Sequence, residues 1–244
     1  MKYFIEFSYK GTKYHGWQYQ PNANSVQETL SKALSLMLKA PMELVGAGRT
    51  DAGVHAKQMY AHFETNALDS IPELIQKLNS YLPKDIAIHA IYRVPEEAHA
   101  RFDAIKRTYE YHIHQQKDAF DCSNSWHYHY PLDLKIMNEA CQILFEYHDF
   151  ECFSKTHTDV NTFNCKIYEA HWREQHNRFV FTISADRFLR NMVRAIVGTM
   201  IDVGRKKITL EQFRTIIENK DRNQAGFSVP AHGLYLTQVI YPYL

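Results

Sequence analysis

Residues 46–55 read Gly46-Ala47-Gly48-Arg49-Thr50-Asp51-Ala52-Gly53-Val54-His55, and the organisation of the chain can be worked outward from them. Glycines stand on both sides of Arg-Thr-Asp, so the backbone can turn tightly there and a large ligand can come close to it. Strand-like runs at 42–46 and 57–64 flank the segment and make it a loop between strands. The Asp51 carboxylate sits two residues from Arg49. Asp-Ala-Gly alone is a common turn in which the aspartate bonds its own backbone. On the residues alone a turn is the favoured reading, weakened by the glycine pairs, the arginine and a Thr50 with no turn purpose of its own.

Further out, Tyr3, Ile5, Phe7 and Tyr9 alternate against Phe4, Glu6 and Ser8, the period of a strand. Ser25-Val26-Gln27-Glu28 is a capping-box pattern opening a helix with Leu30, Ala33, Leu34 and Met37 at helical spacing. Ser70-Ile71-Pro72-Glu73 opens a second, short helix, and Ile86, Ile88, Ala90 and Tyr92 alternate as another strand. Residues 101–130 read as two strands joined by a polar loop at 115–126. A helix containing Met137, Ala140, Cys141, Leu144 and Phe145 follows, then a strand marked by Phe179, Phe181 and Ile183. The clearest helix covers 187–203, the box Thr209-Leu210-Glu211-Gln212 begins the last one, and Leu234–Tyr241 reads as a closing strand. This order supports an α+β class with two related halves, 1–102 and 103–244, sharing one mostly antiparallel sheet flanked by helices.

Composition narrows the class without choosing a function. The chain has 244 residues, 45% of them hydrophobic and 23% charged, as in ordinary soluble globular proteins. No window approaches the roughly 18 apolar residues of a membrane span. Met1-Lys2-Tyr3-Phe4-Ile5-Glu6-Phe7 carries charge inside a short apolar run and reads as a first strand rather than a signal peptide, which implies a cytoplasmic location. Cys122, Cys141, Cys152 and Cys165 form no CxxC pair and read as free thiols in a reducing compartment. The histidines are numerous but scattered, and His127 and His129 alternate as a polar strand face. Lys plus Arg number 28 against 27 Asp plus Glu, a net +1, so only local placement of charge can announce a nucleic-acid partner.

The string GRTDAGVHA at 48–56 resembles the catalytic signature of the TruA family of pseudouridine synthases. Tyr9-Lys10-Gly11-Thr12, Tyr14-His15-Gly16-Trp17-Gln18 and Gln20-Pro21-Asn22 are similar to its N-terminal block. Arg107-Thr108-Tyr109-Glu110-Tyr111 is similar to its second motif, and Phe188-Leu189-Arg190-Asn191-Met192-Val193-Arg194 to its third. Pro230-Ala231-His232-Gly233-Leu234-Tyr235-Leu236 fits its ending. These blocks occur in the family's order and span nearly the whole chain. At Ala225-Gly226-Phe227-Ser228-Val229 the chain departs from the Pro-Thr-Ala that relatives more often carry after Ala-Gly.

The resemblance implies the pseudouridine synthase fold and a homodimer that isomerises uridine in the anticodon arm of tRNA, at positions 38, 39 and 40. It implies Asp51 as nucleophile, Tyr109 against the target base and Arg194 as partner of the carboxylate. Arg49, Thr50, His55, Lys106, Arg107 and Arg190 stand in or beside the same motifs and are expected on the substrate side. On a helix over 187–203, Arg187, Arg190 and Arg194 fall at i, i+3 and i+7 along the edge of an apolar face, with Arg194 expected inward and Arg190 toward RNA. Arg205-Lys206-Lys207 adds positive charge after it.

The isomerisation is redox neutral, so no cofactor, nucleotide or metal is expected, and no Rossmann, P-loop or metal-ligand motif is seen. An aspartate with an ordinary pKa of about 3.9 is ionised at pH 7. Two other readings are open to the residues alone. One is a non-catalytic RNA-binding protein with a sheet of stacking aromatics. The other is a nucleoside or glycoside hydrolase, which needs a second carboxylate, for which Glu110 is the candidate.

Overall fold

The computed structural model describes residues 1–119, 122–156, 160–175 and 178–244. They form two compact units, Met1–Ile105 with Tyr235–Leu244, and Lys106–Leu234. The closing strand, read from sequence with residues 103–244, therefore lies in the first unit. Its partner there is 180 positions away in the chain (His55↔Tyr235), and parallel pairing over such a distance has no local sequence signature.

In the first unit, β1 (Lys2–Tyr9) is the central strand. It pairs antiparallel with β3 (His55–Glu64) on one side and β4 (Ile86–Val94) on the other. The expected strand at 42–46 reduces to β2 (Val45–Gly46), which pairs with β3 through Val45↔His62 and Gly46↔Ala61. On the far side of β3 lies the parallel strand β9 (Leu234–Ile240), joined by His55↔Tyr235 and Ala56↔Leu236. The alternation of β1 buries Tyr3, Ile5, Phe7 and Tyr9, but Phe4 is fully buried as well, so both of its faces are covered.

Two helices complete this unit. In α1 (Val26–Leu38) the Ser25 side chain accepts from the Glu28 N–H, and Val26, Leu30, Ala33 and Leu34 form the buried stripe. In α2 (Ile71–Tyr81) Ser70 accepts from the Glu73 N–H and Pro72 occupies the first turn, where its missing donor costs nothing. Asn79 of α2 also closes the β4 edge: its amide donates to the Ile88 carbonyl at 2.9 Å and accepts from the Ile88 N–H at 2.7 Å. A strand edge left open would offer those groups to another chain.

The second unit is built on β5 (Lys106–His114), β7 (Ile167–Gln175) and β8 (Arg178–Ala185), antiparallel in the order β5-β8-β7. The second strand expected within 101–130 is only β6 (Trp126–His127), parallel to β5. The polar loop read at 115–126 includes Phe120 and Asp121, which lie outside the described residues. The sequence reading missed β7, because Glu169, Arg173 and Glu174 interrupt the apolar signal that Ile167, Ala170 and Trp172 supply by being buried. Asn138 clips Trp172 of this strand as Asn79 clips Ile88, with bonds of 3.0 and 2.8 Å.

Among the described residues this unit holds the α-helices α3 (Leu134–Ile143), α4 (Met192–Gly204) and α5 (Leu210–Asn219). Asp133 caps α3, and the full capping box of Thr209 and Gln212 caps α5. Buried residues face nearly every side of α4, the mark of a helix inside a core rather than on its surface. It begins five residues later than the pattern suggests, because Asn191 takes a left-handed conformation (φ 68°) that a continuous α-helix cannot contain. Mixed, mostly antiparallel strands flanked by helices agree with the α+β class read from the sequence.

Candidate active site

The loop 47–54 leaves β2 and re-enters the sheet at β3, and it is held chiefly by the segment after β1. The Ala47 N–H donates to the Tyr60 carbonyl at 2.8 Å, which anchors the start of the loop. The Trp17 N–H donates to the Thr50 carbonyl, the Gly53 N–H to the Tyr14 carbonyl, and the Val54 N–H to the Asp51 carbonyl, at 3.3, 3.2 and 3.1 Å. Two glycines permit this approach. A Cβ on Gly11 would sit 1.9 Å from the Val54 carbonyl oxygen, and one on Gly16 (φ +90°) would sit 2.2 Å from that of Thr50. A Cβ on Gly48 would meet nothing within 4 Å, so that face of the loop is open space.

The side chains divide along the same line. Arg49 is exposed and Asp51 half-buried. The Thr50 hydroxyl turns inward and shares a 2.8 Å hydrogen bond with the Tyr9 hydroxyl. His55 is 1% exposed; its Nδ1 accepts from the Gly11 N–H at 2.9 Å and its ring stacks on Tyr235 at 4.7 Å. Both residues thus serve the loop's support. Tyr9, Tyr14 and Trp17 were not singled out as site residues in the sequence, although the N-terminal block that contains them carried the signal.

In the second unit Lys106, Arg107 and Tyr109 lie on β5, all half-buried. The Tyr109 ring meets Phe188 edge-on at 5.1 Å, while Arg107 Nη1 donates to the Asp186 carbonyl at 2.8 Å. Arg190 is exposed in the turn before α4, and its carbonyl accepts from the Lys155 N–H at 3.0 Å. Arg194 is half-buried in the first turn of α4, with Nε donating to the Val229 carbonyl at 2.7 Å. Burial pushes the Tyr111 phenol well above its ordinary pKa, and the nearby charge of Arg194 partly opposes that shift. The expected helical row of Arg187, Arg190 and Arg194 does not exist, since the first two precede the helix.

Charge elsewhere in this unit is more engaged than its sequence suggests. Lys206 pairs with Asp133 at 3.3 Å, Lys207 with Asp202 at 3.2 Å, and Arg205 lies 4.1 Å from the centre of the Tyr130 ring. Glu110 points to the face of β5 opposite Tyr109, by strand alternation. There its carboxylate is 3.0 Å from His112 Nε2 and 3.4 Å from an Arg173 nitrogen. Among the described residues, no group of three or more His, Cys, Asp or Glu is placed to hold a metal ion. No described helix is long and apolar enough to cross a membrane.

Comparison with known proteins bears on the whole chain. A family model described as tRNA pseudouridine synthase matches residues 6–103 and 140–242. The chain is 52% identical over 242 residues to a protein of Parabacteroides distasonis, covering 99% of this chain and 96% of the relative. Identity is 53% over 244 residues to a Bacteroides fragilis protein, with the same shares covered. It is 40% over 239 residues to one from Clostridium acetobutylicum, covering 97% and 98%. All three relatives are named tRNA pseudouridine synthase A.

Proposed function

The chain belongs to the tRNA pseudouridine synthase family, and from that premise we propose that it isomerises uridine to pseudouridine in the anticodon stem-loop of tRNA, at positions 38, 39 and 40, with Asp51 as nucleophile. The supporting observation is the loop itself. Its backbone is tied on both sides of Asp51, while Gly48 faces open space and the carboxylate is half-buried. A main chain held around the carboxylate, in a loop with open space at Gly48, suits nucleophilic catalysis.

The reaction breaks the bond from uracil N1 to ribose C1′ and forms one from C5 to C1′. A proton leaves C5 and N1 ends protonated, so nothing is oxidised or reduced. Asp51 attacks the sugar, or assists departure of the uracil, which then rotates before rejoining. Tyr109 covers the base and assists removal of the C5 proton, and Arg194 is the proposed partner of the carboxylate. The target nucleotide must leave its stack, at a cost of a few kcal/mol that is lowest in a loop or at a weak stem end. Arg49 and Arg190, both exposed, are proposed to meet phosphate. The protein works as a cytoplasmic homodimer, and sedimentation at micromolar concentration tests the assembly.

Purified protein incubated with unmodified tRNA, followed by carbodiimide mapping of pseudouridine, tests the activity. Product confined to the anticodon arm, and lost in Asp51→Ala, Asp51→Asn and Asp51→Glu, is the expected outcome. Wild-type product formation by Asp51→Asn would remove Asp51 from the mechanism. Free uracil in place of pseudouridine would favour the hydrolase.

A further inference from the structure

We infer that Tyr9 and Thr50 form a clamp that positions Asp51, a role distinct from contact with RNA; the inference rests on Asp51 being the nucleophile. Tyr9 ends β1 and is 4% exposed. The register between β1 and β3 shifts between Phe7 and Tyr9, and such an irregularity re-aims a side chain out of the regular pleat. The Tyr9 hydroxyl meets the Thr50 hydroxyl at 2.8 Å. A second tie reaches the same residue from Trp17, whose N–H donates to the Thr50 carbonyl at 3.3 Å.

Both ties arise from one rigid row. The Tyr9 ring stacks on Phe7 at 6.1 Å and Phe7 on Trp17 at 5.4 Å, with Phe7 fully buried and Trp17 3% exposed. The aromatic row therefore holds Thr50 by side chain and by main chain at once. On the other side of the nucleophile, the Asp51 carbonyl accepts from the Val54 N–H at 3.1 Å. The peptide groups before and after Asp51 are thus both fixed, which sets the backbone from which its carboxylate projects. Misplacing a reacting group by about 1 Å can cost on the order of 100-fold in rate, so releasing one tie should appear in the chemical step.

The test measures single-turnover pseudouridine formation on full-length unmodified tRNA, tRNA affinity by filter binding, and urea unfolding. Its variants are Tyr9→Phe, Thr50→Val and the pair together. Each single change is expected to slow the chemical step roughly 10- to 100-fold, with the double variant no slower than the worse single one, because both remove the same bond. Affinity for tRNA should stay within about two-fold, and Thr50→Ser, which keeps the hydroxyl, should recover most of what Thr50→Val loses.

Losses that multiply in the double variant would overturn the clamp, as would an unchanged rate in Tyr9→Phe or a slowing that merely follows weaker tRNA binding. Should Tyr9→Phe fold poorly, Thr50→Val against Thr50→Ser decides the same question. Asp51→Ala runs alongside. Turnover by that variant would sink the nucleophile reading itself, whereas a dead Asp51→Ala beside a fully active Tyr9→Phe sinks only the clamp.

Discussion

The loop 47–54 and the segment 186–194 both carry candidate site residues, yet the contacts that distinguish them differ in kind. In the loop, backbone is tied mostly to backbone, through close approaches that only Gly11 and Gly16 permit. In the segment, side chains add to main-chain ties such as the Lys155 N–H to the Arg190 carbonyl. Asp186 Oδ1 accepts from the Lys166 and Arg187 N–H groups at 2.8 and 2.7 Å. Asn191, in its left-handed turn, donates to the Ser228 hydroxyl at 2.7 Å, and Arg222 reaches the same oxygen at 3.0 Å. The first region should therefore fail when an atom is added, and the second when a group is removed.

The largest effect expected from this contrast is on Gly11→Ala. The new methyl would meet a carbonyl rather than a flexible side-chain tip, so the loop must move, at a cost of about 3 kcal/mol. Gly48→Ala, with open space around it, should change unfolding free energy by less than about 0.5 kcal/mol. Equal urea midpoints for the two alanine variants would break the comparison.

Acid should probe the strand that carries the loop. His62 on β3 accepts from the Ala100 N–H at 3.1 Å, which requires a neutral Nδ1. Burial, with help from His99 and Lys2, lowers its pKa to about 4. The unfolded chain, with an ordinary histidine pKa near 6.5, binds the proton more readily between those values. Stability from this group is thus complete above about pH 6.5 and lost as pH falls toward 4, by at most about 3 kcal/mol. Urea titrations at pH 7 and pH 4.5 should show the loss, and His62→Gln should flatten it; an unchanged acid limb in that variant would clear His62.

The second region gives smaller effects. Asp186→Ala strands two N–H groups and should destabilise by about 1–2 kcal/mol, with Asp186→Asn recovering most of that through its remaining oxygen. Ser228→Ala should cost about 1 kcal/mol or less, as Asn191 and Arg222 lose one shared acceptor. Calorimetry on both would sharpen the contrast. A Ser228→Ala loss as large as that of Gly11→Ala would erase it.

The contrast also explains which parts could be read in advance. The Asp51 loop is contiguous: its glycines, its flanking strands and its resemblance to a catalytic signature all lie within about a dozen residues. Helices opened by capping residues were legible for the same reason, since Ser25, Ser70 and Thr209 act within one turn of themselves. The start of α4 was misread because what breaks the helical pattern is a single backbone torsion at Asn191, supported by Ser228 from a distant part of the chain.

By itself the sequence determined the α+β class, the Asp51 loop and the family, because those rest on periodicity, capping and contiguous motifs, all of them short-range. Only the tertiary structure decided that β9 returns to the first unit, that Thr50 and His55 face inward as supports, and that Lys206 is already paired with Asp133. Each of those depends on which distant groups meet, and a hydrogen bond or ion pair across many tens of residues leaves no period or spacing in the chain to read.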